Sequence, residues 1–62
     1  MTIYELLDKE DWATYNLIIR TSPTDFIVYR SYSQIKNNWE LLNCDVVSWE
    51  KKHGDIEIIL YK

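Results

Sequence analysis

The sequence predicts an α+β domain: one mainly antiparallel four-stranded sheet with helices on one face, over residues 1–62 as a single unit. Three observations carry that expectation. Two segments begin with the Ser/Thr-x-x-Glu/Gln signature of a helix start and continue with apolar residues at helical spacing. Four short runs rich in Ile, Val, Tyr and Trp alternate as strands do. The runs come in pairs joined by brief turn sequences, which gives the order α-β-β-α-β-β.

The first helix starts at Thr2-Ile3-Tyr4-Glu5, where Thr2 can accept from the backbone of Glu5 and Glu5 can reach back to Thr2. Ile3, Leu6 and Leu7 fall on one face, and Asp8-Lys9-Glu10-Asp11 is a polar exit. A first strand is expected from Trp12 or Tyr15 to Thr21, with Tyr15, Leu17 and Ile19 alternating with Asn16, Ile18 and Arg20. Ser22-Pro23-Thr24-Asp25 reads as a turn, because Pro23 presets φ for its second position. A second strand over residues 26–30 then forms an antiparallel hairpin with the first.

Ser31-Tyr32-Ser33-Gln34 reads as another capping box, with Ser33 as the alternative cap. The helix it opens runs through Ile35 toward Leu42 and places Ile35, Trp39 and Leu42 on a common face. Asn37-Asn38 are poor helix formers and mark a possible break, and Asn43 can end the helix in the left-handed conformation. A third strand is expected over residues 44–51 and a fourth over 56–61, joined at His53-Gly54 with Gly54 supplying a positive φ. Tyr4-Glu5-Leu6-Leu7-Asp8 echoes Trp39-Glu40-Leu41-Leu42-Asn43, too short a match to separate from chance.

The strands hold apolar residues at both alternating positions, as in Leu17/Ile18, Phe26/Ile27 and Ile58/Ile59. A sheet with one wet face reads apolar only at every second position. Two short helices cover one face, so the other is expected to meet a partner or to leave an apolar patch in water. A chain of this length buries only about 60 % of its unfolded surface, and Cys44 stands alone, so no disulfide adds stability. Both arguments point to a homodimer.

Charge and inventory exclude several classes. Ten Asp+Glu against seven Lys+Arg leave a net charge of -3, whereas nucleic-acid binders of this size carry a basic excess; polynucleotide binding is therefore not expected. The apolar runs are far shorter than a membrane span requires. The lone Cys and the lack of a basic-then-apolar leader give the expectation of a cytoplasmic protein. One glycine cannot build a phosphate-cradling loop. His53 falls in a turn without an orienting partner, and Cys44 sits beside Asp45 with no second ligand at zinc spacing. Asp8, Glu10 and Asp11 lack the spacing of a calcium loop and read as solvated. No catalytic residue, metal site or cofactor is expected.

The segments Tyr4-Glu5-Leu6-Leu7, Leu17-Ile18-Ile19-Arg20, Phe26-Ile27-Val28-Tyr29, Leu41-Leu42-Asn43-Cys44-Asp45-Val46-Val47-Ser48-Trp49 and Asp55-Ile56-Glu57-Ile58-Ile59-Leu60 resemble a pattern in small uncharacterised phage and mobile-element proteins of low-GC Gram-positive bacteria. The resemblance covers nearly the whole chain but rests on element order and apolar positions, with no catalytic motif. It implies a phage accessory protein that acts inside the host by binding: inhibiting a host or defence protein, or sequestering a nucleotide signal.

Two functional expectations follow. In the first, a non-enzymatic homodimer inhibits or modulates a host protein through an exposed aromatic and acidic surface, with Trp12, Tyr29, Trp49 and Tyr61 as anchors because large rings contribute most at interfaces. In the second, a pocket between subunits holds a small nucleotide, with Arg20, Arg30 and Lys51 facing phosphate and an aromatic ring stacking the base; Arg20 and Arg30 could lie close across the first hairpin, the alternative being that both are solvated strand edges.

Overall fold

Helix α1 (Ile3–Lys9) starts where its chemistry requires. The Thr2 backbone N–H donates to Glu5 Oε1 at 3.1 Å, and the Glu5 backbone N–H donates to Thr2 Oγ1 at 3.2 Å, the reciprocal pair of a capping box. Its buried side is Ile3, Leu6 and Leu7. The computed structural model describes residues 1–9 and 15–62, and the side chain of Tyr32 is not described. The expectations for Glu10, Asp11 and Trp12 lie outside the described residues.

Strands β1 (Asn16–Arg20) and β2 (Phe26–Tyr29) form the first hairpin, antiparallel, with Leu17 opposite Tyr29 and Arg20 opposite Phe26. The Ser22 hydroxyl holds the turn by accepting from the Thr24 and Asp25 backbone N–H groups. Strands β3 (Ser48–Lys52) and β4 (Asp55–Ile59) form the second hairpin around His53-Gly54, where Gly54 takes φ +72°. Each strand is shorter than the span expected for it. The third begins at Ser48, not Cys44, because residues 44–46 pair with the N-terminus instead: Ile3 N–H donates to the Cys44 carbonyl and Val46 N–H to that of Met1.

The strand order is β2-β1-β4-β3. The two hairpins are antiparallel, and they join through a parallel pairing of β1 with β4 that sets Leu17 beside Ile56 and Ile19 beside Ile58. These four side chains, all on central strands, are fully buried and form the floor of the core.

The second helical region breaks at the Asn37-Asn38 pair, the possible break, and does not run on from Ile35 to Leu42. It is two single turns, α2 (Tyr32–Ile35) and α3 (Trp39–Leu42), separated at residues 36–38. Asn38 makes the break productive, its Oδ1 accepting from Leu41 N–H at 3.2 Å as the cap of α3. The expected Ser31/Gln34 box does not close: Gln34 Oε1 accepts from Arg30 N–H at 2.7 Å instead. Nor does Asn43 turn left-handed; it stays right-handed at φ -87°, ψ 0°. The break also rotates Trp39 out of register with Ile35 and Leu42. Those two are fully buried, while Trp39 is 54 % exposed.

Ile3, Leu6 and Leu7 of α1, Ile35 of α2, and Leu41 and Leu42 of α3 close over the sheet floor. This buried core is wholly aliphatic among the described residues, so the rings are displaced to its margin or to the surface. The two halves of the sequence echo meet there: both Leu-Leu pairs are core, and the Tyr4 and Trp39 rings pack at 5.5 Å on the outside of the helical layer.

Candidate functional site

The register assigns every strand residue to one of two faces, because directly paired residues share a face and neighbours along a strand alternate. Leu17, Ile19, Ile27, Tyr29, Trp49, Lys51, Ile56 and Ile58 face the helices. Ile18, Arg20, Phe26, Val28, Glu50, Lys52, Glu57 and Ile59 share the opposite face, which no described helix covers.

That open face has two halves. Toward β2 it is apolar: Phe26 is 57 % exposed and Val28 53 %, with the half-buried Ile18 beside Val28 and Ile59 beyond Arg20. Toward β3 it is charged. Glu57 receives Arg20 Nε at 3.3 Å on one side and Lys52 Nζ at 3.9 Å on the other, and Lys52 also reaches Glu50 at 3.9 Å. Arg20 joins the halves, since its guanidinium also lies 5.5 Å from the Phe26 ring centroid. The second face is thus neither uniformly apolar, as the strand patterns suggest, nor wet throughout.

The two sheet edges differ in the same sense. The β3 edge carries Glu50, Lys51 and Lys52, charges that oppose pairing with another strand. The β2 edge, Phe-Ile-Val-Tyr, carries no charge, proline or glycine.

The expected site residues distribute unevenly over this geometry. Tyr29 faces the helices and packs against the core rim, so it is a supporting ring and not an exposed anchor. Trp49 is 37 % exposed at the β3 edge, and Tyr61 is half-buried beyond β4. Arg20 and Arg30 are not neighbours. Arg20 pairs with Phe26 at the turn end of the hairpin, whereas Arg30 follows Tyr29 at its open end, roughly four residues or 13 Å away along the strands. Lys51 lies on the helix-facing side, opposite to Arg20. The three cations therefore do not converge within one copy, and Arg20 is held by Glu57.

Two features escape sequence reasoning. Phe26 and Val28 share a face in every β-strand, but nothing local says that this face is the open one. Trp39 is exposed because of the Asn38 cap, and the Asn37-Asn38 pair is the signal that could have revealed it.

A shallow open depression lies at the β3–β4 turn, lined by Tyr15, Lys51, Lys52, His53 and Gly54, with Lys51 Nζ 5.9 Å from the Tyr15 ring centroid. Cys44 is half-buried against the core, its thiol donating to the Glu40 carbonyl at 3.4 Å. No helix is long and apolar enough to cross a membrane among the described residues. Comparison with protein-family models, with curated proteins and with solved structures finds no match.

Proposed function

We propose that this is a small non-enzymatic binding protein that works as a homo-oligomer and modulates another protein, in the manner of a phage accessory protein acting on a host or defence protein in the host cytoplasm. The observation that carries the reading is the apolar half of the open sheet face, where Phe26 and Val28 stand more than half exposed beside Ile18. Fully burying a side chain of this kind is worth roughly 1.5–3 kcal/mol, so covering the exposed halves of these two yields roughly 0.8–1.7 kcal/mol each. The displacement of rings from the aliphatic core supports the same reading, since exposed aromatic side chains are the usual anchors of interfaces.

Quantitative capture from host lysate tests it, with the wild-type protein and Ile18→Lys compared. The substitution removes apolar surface beside Val28 without entering the core. A protein retained by the wild type and lost with Ile18→Lys supports the reading. Retention of nothing specific, or equal retention by both, overturns it.

Sequestration of a small nucleotide is the second reading. The observation favouring it is the depression at the β3–β4 turn, where Tyr15 supplies a ring and Lys52 and His53 supply donors. A ligand held only by the folded state raises the melting temperature. A rise with a nucleotide, abolished in Lys52→Gln, supports this reading, and no shift with any nucleotide removes it.

A further inference from the structure

We infer that two copies of this chain pair through β2, antiparallel, about a two-fold axis beside Ile27, so that two four-stranded sheets become one. The inference deepens the reading above and rests on its claim that copies associate.

Backbone directions give the argument. Asn16 N–H donates to the Gly54 carbonyl at 2.7 Å, and the Arg20 carbonyl accepts from Leu60 N–H at 3.0 Å. The backbone groups of Asn16, Ile18 and Arg20 therefore point toward β4. Those of Leu17, Ile19 and Thr21 point toward β2, as the 3.1 Å bond from Thr21 N–H to the Asp25 carbonyl shows. In an antiparallel pair, hydrogen-bonded and non-hydrogen-bonded residue pairs alternate. Ile27 and Tyr29, opposite Ile19 and Leu17, thus spend their N–H and C=O groups on β1. Phe26 and Val28 direct theirs out of the sheet, and no described hydrogen bond uses them.

The chain itself selects the register. Directly opposed residues must lie on the same face, so each pairing is centred on one residue facing its own copy. Centring on Phe26 would set Val28 against the partner's Thr24, whose N–H is engaged with Ser22 Oγ, and centring on Tyr29 would set Val28 against the partner's Arg30, whose N–H is engaged with Gln34 Oε1. That leaves pairings centred on Ile27 with the partner's Ile27, or on Val28 with the partner's Val28. The second would require Phe26 to exchange hydrogen bonds with the partner's Arg30. The Arg30 N–H is already engaged, donating to Gln34 Oε1 at 2.7 Å. The first uses only the outward groups of Phe26 and Val28: each Phe26 exchanges two bonds with the partner's Val28, four in all. It also sets an aromatic ring beside a β-branched side chain on the open face, a favourable cross-strand pair.

Closure follows from the difference between edges. Each copy has one uncharged edge, while β3 is guarded by Glu50, Lys51 and Lys52, so assembly stops at two. The pairing makes the apolar halves of both open faces continuous across the axis.

Crosslinking tests the register in a Cys44→Ser background. Opposed residues of a non-hydrogen-bonded pair have Cα atoms about 4.5 Å apart, within disulfide range. Ile27→Cys should therefore oxidise to a covalent dimer, and Val28→Cys, offset by two residues from its copy, should remain mostly monomeric. Val28→Pro removes an outward N–H without touching the β1 ladder. It should halve the solution mass while keeping the circular dichroism of the folded protein. If the wild type already has the mass of one chain at micromolar concentration, both the association and the β2 pairing fall. If the wild type is dimeric but Val28→Cys crosslinks instead of Ile27→Cys, or Val28→Pro stays dimeric, association stands and the pairing proposed here falls.

Discussion

Arg20 on β1 and Glu57 on β4 meet across the parallel centre of the sheet, Nε to Oε2 at 3.3 Å, on the face opposite the helices. The pair sits where the apolar half of that face meets the charged half. It tolerates its position because both side chains keep part of their hydration, at 35 % and 20 % exposure.

For this reason its contribution to stability is modest and sensitive to salt. Glu57→Gln should cost about 1 kcal/mol or less in urea unfolding, and the difference from wild type should shrink at high ionic strength. A loss of several kcal/mol that is unaffected by salt would mean that the pair is far less hydrated than its geometry indicates.

The capping box makes a prediction about pH. Hydrogen bonds from the Thr2 backbone, then from the Thr2 hydroxyl, hold the Glu5 carboxyl below its ordinary value of 4.5. The unfolded chain therefore takes up the Glu5 proton first as pH falls. The stabilisation is fully present above the unfolded value and is lost as pH drops through the lower folded value. Glu5→Gln should flatten this part of the stability–pH curve, with no change near neutrality in its slope. Thr2→Ala should cost about 1 kcal/mol by removing the cap.

Gly54 is the one residue at positive φ among those described, and a Cβ built on it meets nothing within 4 Å. Gly54→Ala should accordingly cost about 1–2 kcal/mol through backbone strain alone. Gly54→Asn should cost less, because Asn tolerates the left-handed region better. Thermal melting of the two variants side by side checks the order.

Core and surface should separate cleanly. Ile58→Ala empties a fully buried position at the sheet centre and should cost about 2–5 kcal/mol, enough to unfold much of so small a domain. Trp39→Ala removes a larger side chain that is 54 % exposed and touches Tyr4, and it should cost far less.

The features legible in the sequence are those fixed by chemistry close along the chain. Thr2 and Glu5 are three residues apart, Gly54 sits inside its own turn, and each hairpin joins neighbouring runs. The strand order is different in kind. Placing Leu17 against Ile56 depends on a pairing between distant residues that no local pattern encodes. The site suffered from the same limit. Phe26/Val28 and Ile27/Tyr29 are equally plausible outward sets until the helices choose a side, which is why Tyr29 and not Phe26 reads as an anchor. Arg20 and Arg30 read as close because hairpin ends look adjacent when the register is unknown. Trp39 fails for a third reason: a single cap at Asn38 resets the helical phase and turns an expected core ring outward.

The central claim is that this sheet is completed by a second copy. Sedimentation equilibrium of the wild-type protein at micromolar concentration tests it most directly. The account predicts a mass twice the 7.5 kDa of the chain, falling toward one chain on dilution. A mass of one chain at every concentration would contradict it.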